Sequence, residues 1–334
     1  MAVVLKDVEL YTDEKARQLG EPGIAHAYPR CVTSAVKHLE GQVDPSWVMG
    51  VTGFAFRIFV NEILCPSAMS IFNFSSILPE AIEQCGYTAL HVGRFWEQQD
   101  QEESRRLEAQ AEIHKAIDAG RPAIAWDIAE SDWGLIIGFD DVKQEFATIT
   151  CEGTRSTLPY DKLGKNGIDI LSVAILTERN RRTRDEIIRR ALQLAVAHAA
   201  GKEWTDRPAY QNGLDGYDLW TTVLERGAIL ADAGKRGNVA EHVPCSAAYY
   251  ARVNGGARCY ARDFLKSVCH GDTSLEQATG CYEKTAEALR PVWQAFDGKN
   301  LPDGATLRML SQKLRLAKSR EEEAIEHIRD YLSR

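Results

Sequence analysis

The spacing of apolar residues divides the chain into a mixed first half and a helical second half. Over residues 31–40 (CVTSAVKHLE), Val32, Ala35, Val36 and Leu39 share one helical face. Pro29 precedes that face and Gly41 follows it, as suits a short helix with a glycine stop. Residues 76–85 read as a second helix ending at Gly86, and a short strand is predicted around 88–92. Across 101–119, Leu107, Ala109, Ile113, Ala116 and Ile117 recur at helical spacing until Gly120 and Pro122 stop the run. Strand-like runs follow at 122–128, 133–139 and 145–150, with Asp140, Asp141 and Lys143 in the hairpin connection between the last two. A further strand is expected at 168–176. The links between these runs are too short for helical crossovers, so the sheet should be antiparallel. The segment 47–60 (WVMGVTGFAFRIFV) has no clear period and yields no assignment.

Beyond Thr177 the strand signals cease. Residues 183–200, 214–232, 244–269, 274–297 and 304–333 all read as helices, with polar loops at 201–212 and 234–238. The last helix is amphipathic, its stripe running from Leu307 through Leu310, Leu314, Ile325 and Ile328 to Leu332. That stripe suits a homo-oligomer formed through 304–333, and equally a seat on its own chain. The order of elements predicts an α+β fold. Its α+β domain with an antiparallel sheet spans 1–178 and its all-helical domain 179–334, with the boundary near 178–184.

Composition narrows the function classes. The 334 residues carry 40 Lys and Arg against 48 Asp and Glu, a net charge of -8. No general nucleic-acid partner is expected from that balance. The run from Arg179 to Arg184 (RNRRTR) reads as a solvated junction. Met1 to Leu5 is too short for a secretory segment, and no apolar run approaches membrane-spanning length, so a cytoplasmic protein with no membrane partner is expected. The eight cysteines form no CxxC pair, and Cys259, Cys269 and His270 match no ligand spacing. No metal and no organic cofactor is expected. Phosphate-loop, dinucleotide-binding, HExxH and GxSxG patterns do not occur.

Cys31 is the leading candidate for chemistry. A thiol at a helix N-terminus faces open backbone N–H groups and the positive end of the dipole, which favour the thiolate. The competing reading is a small buried residue at a helix start. In the second half, Tyr249, Tyr250, Tyr260 and Tyr282 with Arg252, Arg258 and Arg262 are candidates to line a groove, or to form an ordinary helix face.

The stretch His26-Ala-Tyr-Pro-Arg-Cys31-Val-Thr-Ser-Ala-Val-Lys-His-Leu39 and the glycine-rich, aromatic Gly50-Val-Thr-Gly-Phe-Ala-Phe56 resemble the butirosin-biosynthesis acyltransferase-type N-terminal domain. So do Ala116-Ile-Asp-Ala-Gly-Arg-Pro-Ala-Ile-Ala-Trp126 and Trp133-Gly-Leu-Ile-Ile-Gly-Phe-Asp-Asp141, which are also similar to papain-like peptidases that trim leader peptides. The resemblance covers roughly residues 25–176. It implies a papain-like fold and acyl or amide chemistry through a cysteine thioester, with Cys31 as nucleophile.

The general-base histidine of the peptidases falls just before Trp133, and Asp132 stands there instead. His26 and His91 are candidate substitutes. Asp140 ends the GFD motif and either orients a side chain at the site or shapes the hairpin. Thr33, Ser34, Asp127 and Trp133 are candidate substrate contacts. Two functions stay open on these grounds. One is a cysteine-dependent acyl or amide transferase or hydrolase of a bacterial biosynthetic pathway, acting on a small molecule, a peptide or an acyl-carrier protein. The other is a non-catalytic papain-like protein that binds such a partner.

Overall fold

The computed structural model describes residues 1–70, 72–203, 209–232, 243–296 and 302–334, with the side chains of 243–246 left aside. The expected loop at 234–238 and residues 204–208 of the one at 201–212 fall outside these residues. The chain is α+β and divides into two units, each assembled from three stretches of sequence. The first holds Met1–Thr12, His26–Val48 and Asn73–Thr183. The second holds Asp13–Ala25, Met49–Phe72 and Arg184–Arg334. A boundary near 178–184 is therefore only the last of several crossings between them.

The first unit is built on an antiparallel sheet. Its strands are β1 (Ala2–Val4), β3 (Tyr87–Arg94), β4 (Ala123–Trp126), β5 (Trp133–Asp140), β6 (Glu145–Ile149), β7 (Arg155–Pro159) and β8 (Leu171–Arg179). They lie in the order β3-β8-β4-β5-β6-β7, with β1 continuing past β4 along the edge of β5. Every pairing is antiparallel, as the short connections require. Strands β1 and β7 have no counterpart in the sequence pattern. Only Leu158 of β7 points inward, so no alternation marks that strand.

Two periodicities bury the two faces of this sheet. Helix α5 (Glu102–Asp118) lays Ala109, Ile113, Ala116 and Ile117 on Val173, Ile175, Ala125 and Phe146. Residues one step out of phase on the strands face the other way. There Trp126 and Trp133 sit directly across the β4–β5 pair, with ring centroids 5.2 Å apart. Tyr28 of α2 (Ala27–Glu40) and Phe74 of α4 (Phe74–Gln84) meet Trp133 edge-on at 4.9 and 5.0 Å. Such edge-to-face contacts are each worth about 1 kcal/mol beyond the area they bury.

The second unit contains α1 (Glu14–Gln18), α6 (Arg184–Ala199), α7 (Leu214–Asp232), α8 (Val243–Val268), α9 (Thr273–Ala295) and α10 (Gly304–Leu332). The short helix α3 (Pro45–Val51) runs across the division between units. The helical boundaries follow the sequence pattern to within two residues. The unit is not wholly helical: β2 (Phe59–Asn61) and β9 (Tyr210–Asn212) form an antiparallel ribbon. Trp220, Leu224, Tyr250, Leu289, Val292, Leu307, Leu310 and Leu314 share its core. Helices α8 and α9 approach closely at Gly255, where a Cβ would stand 2.2 Å from the Trp293 ring.

The apolar stripe of α10 is consumed within this unit: Leu307, Leu310, Leu314, Ile325 and Ile328 are all buried in it. These five positions take the seat on their own chain, while Leu332 at the end of the stripe stays half-exposed. Arg258 lies at zero exposure in the same core. Its guanidinium grips both carboxylate oxygens of Glu321 at 2.8 and 2.9 Å and donates to the carbonyls of Arg57 and Phe56. Tyr217 donates to Glu321 at 2.6 Å. The proposed tyrosine and arginine lining is, for Arg258, Tyr250, Tyr260 and Tyr282, interior rather than groove. Among the described residues no helix is long and apolar enough to cross a membrane.

Candidate functional site

Helix α2 begins earlier than the apolar pattern implies. His26 takes an extended backbone, and its Nδ1 accepts the N–H of Tyr28 at 3.2 Å, capping the first turn. Pro29 then occupies the third helical position, where its missing N–H costs nothing. Cys31 consequently sits in the second turn, not at the helix start. It lies past the open N–H groups of the first turn, where the dipole's stabilising effect on a thiolate fades. His26 is thus a capping residue, buried at 3 % exposure.

The Cys31 side chain has no solvent exposure. Burial pushes its thiol well above the ordinary range, the Asp132 carboxylate pushes it further, and Arg30 opposes them. The Arg30 guanidinium is already engaged, its Nε on the Tyr11 carbonyl at 2.8 Å and its Nη1 on the Cys151 carbonyl at 3.1 Å. Those bonds hold residue 151 against the helix. The Cys151 thiol is pushed up to about 12 by burial and then by Asp132 and Glu130, and it donates to Glu130 Oε2 at 3.5 Å.

Asp132 is the fixed partner of this group. It closes the β4–β5 turn, where its carbonyl accepts the N–H of Asp127 at 3.0 Å and its Oδ1 accepts the N–H of Trp133 at 2.8 Å. Burial raises its carboxyl to about 6; the Trp133 N–H works against that, and Glu130 and Glu152 add to it. The position that the family resemblance gives to a base thus carries an acid, electrostatically coupled to the thiol. Near neutral pH the carboxylate and a thiolate would repel, so the thiol keeps its proton.

The other candidate residues serve local structure. His91 lies on β3, three strands from β5 and so roughly 14 Å away at the usual strand spacing. Its Nε2 is 2.9 Å from Ser172 Oγ, and burial lowers its pKa to about 4. Asp127 is buried with a left-handed backbone, φ 57°, and its Oδ2 accepts the N–H groups of Gly167 and Ile168, both at 2.7 Å. It clasps the loop before β8. Asp140 Oδ1 accepts the N–H groups of Val142 and Lys143, so it shapes the hairpin. Thr33 donates to the Pro29 carbonyl at 2.7 Å. Ser34 donates to the Arg30 carbonyl and accepts the Tyr11 N–H, both at 2.8 Å. With Trp133 at zero exposure, none of Thr33, Ser34, Asp127 or Trp133 presents a surface to a substrate.

No protein-family model matches this chain. No curated protein matches it either.

Cys151 and Glu130 are the members of the cluster that sequence spacing did not announce. One follows β6 and the other lies in the β4–β5 turn, and only the sheet register brings them to Cys31 and Asp132. Among the described residues no group of three or more His, Cys, Asp or Glu side chains is arranged to hold a metal ion. What the arrangement does chemically is to keep two thiols protonated next to a carboxyl that loses its proton near 6.

Proposed function

We propose that this protein is a binding protein on a papain-like scaffold, which takes up a small molecule, a peptide or a carrier protein without covalent chemistry at Cys31. The observation that carries this reading is the complete burial of the Cys31 sulfur next to Asp132, where a nucleophile requires exposure and a base. Alkylation by iodoacetamide tests it, with the other cysteines as internal controls. Native protein at neutral pH is expected to leave Cys31 unlabelled, and unfolding to release it. Rapid native labelling with an apparent pKa below the free-thiol value of about 8.5 would overturn the reading.

The acyl- or amide-transfer reading retains one observation in its favour. Burial raises the Asp132 carboxyl to about 6, a range suited to moving a proton at physiological pH, and that carboxyl acts electrostatically on the Cys31 thiol. If Cys31 labels rapidly, acyl thioesters are the first substrates to try, with release of the free thiol as the readout.

A further inference from the structure

Within the first unit, the C-terminal end of α2 and the turn that follows border a cleft of about 420 Å³, within the range of small-molecule sites. Glu40 lines it nine residues after Cys31, which at 1.5 Å per residue is about 13 Å along the helix. The cleft is therefore separate from the thiol cluster. Val36, Val43 and Val48 give it an aliphatic wall, and Trp47 adds an indole.

Its charges favour one sign. Arg179 is spent on its neighbours: its Nη2 meets Glu40 at 2.6 Å, and its guanidinium lies 4.4 Å over the Tyr87 ring. Glu40 accepts a second bond from the Tyr87 hydroxyl at 2.8 Å. Asp44 uses Oδ1 to accept the Ser46 N–H at 2.9 Å and has no cation partner recorded among the described residues. Helix α2 also ends here, at Gly41 with φ 78°, and brings the negative end of its dipole to the same place. Lys37 in the last turn of α2 offsets that dipole, and two carboxylates against one committed guanidinium leave the lining with a net negative charge beside an indole, an arrangement that attracts an organic cation.

The geometry points to a binding site for an organic ammonium compound, a primary amine carrying an apolar or aromatic body. The ammonium sits by Asp44 and the α2 terminus, and the body lies against Trp47 and the valines. This goes beyond the scaffold reading above, since amine binding here and alkylation at Cys31 fail independently.

Phenethylamine, its neutral N-acetyl derivative and the anionic 3-phenylpropionate make a charge series on one body. Titration calorimetry and saturation-transfer NMR on the full chain are expected to give a Kd of about 1 mM for the amine, as suits so small a ligand. The acetyl and carboxylate analogues should bind at least about tenfold more weakly, and Asp44→Asn should weaken the amine about fivefold. That variant keeps the oxygen that caps Ser46 and should fold normally; Trp47→Leu should lower the affinity of the same amine in parallel. Equal binding of the neutral or anionic analogue, an Asp44→Asn variant that binds as wild type, or no amine binding up to about 10 mM would each overturn the assignment.

Discussion

Both units bury ionisable groups, and they treat the charge in opposite ways. In the helical unit Arg258 and Glu321 are both in the core, yet both carboxylate oxygens meet the guanidinium, and Glu321 holds Arg258 in its charged form against the pull of burial. In the sheet unit Cys31, Cys151, Asp132 and Glu130 form a group of potential anions, with Arg30 already committed to two carbonyls. There Cys31, Cys151 and Asp132 are pushed toward their protonated forms instead. Burial disfavours the charged form in both units; in the helical one an opposite charge in direct contact outweighs it, and in the sheet one the neighbouring carboxylates reinforce it.

Breaking the paired side of this comparison should have the largest effect. Glu321→Gln strands a buried guanidinium and should cost about 3–5 kcal/mol of unfolding free energy in urea titration, while Arg258→Met with Glu321→Leu should recover most of it. On the unpaired side, Asp132 has a folded pKa near 6, raised above its unfolded value by burial. Its contribution is therefore fully present below the unfolded pKa and is lost as pH rises through 6. Asp132→Asn should gain on wild type by about 2 kcal/mol between pH 4 and pH 7.

His91 carries the opposite slope. Burial depresses its pKa to about 4, so its contribution is present above the unfolded value near 6.5 and is lost as pH falls through 4. His91→Gln should flatten the acid limb of the stability curve by about 1–2 kcal/mol, less than a fully buried ring would give, because solvent reaches part of this one. The smallest effect is expected at Ser34→Ala, which removes the acceptor of the Tyr11 N–H and should cost about 1 kcal/mol.

The parts of the fold that were legible in the sequence are those where one face of an element is wet. Helices α5, α7 and α10 expose a polar stripe, so their period survives in the sequence. Residues 48–60 are buried on every side, and a segment with no wet face has no period to read, which is why β2 and its ribbon with β9 escape notice. The candidate site was half legible. The pairing of Cys31 with position 132 follows from the resemblance, but the start of α2 does not, because Pro29 reads as lying just ahead of the helix when it stands third within it. The role of Asp127 was hidden because its left-handed backbone and its bonds to 167 and 168 depend on a loop forty residues away.

The interleaving of the two units along the chain bears on synthesis. Segments 13–25 and 49–72 leave the ribosome long before residues 184–334, with which they share a core. At roughly 5–20 residues per second they wait on the order of ten seconds or more with apolar side chains such as Phe56, Phe59 and Val60 uncovered. Neither unit can therefore be obtained by cutting the gene once. A nascent chain that stalls before residue 184 holds every segment of the first unit, with 13–25 and 49–72 still without the helices whose core they share.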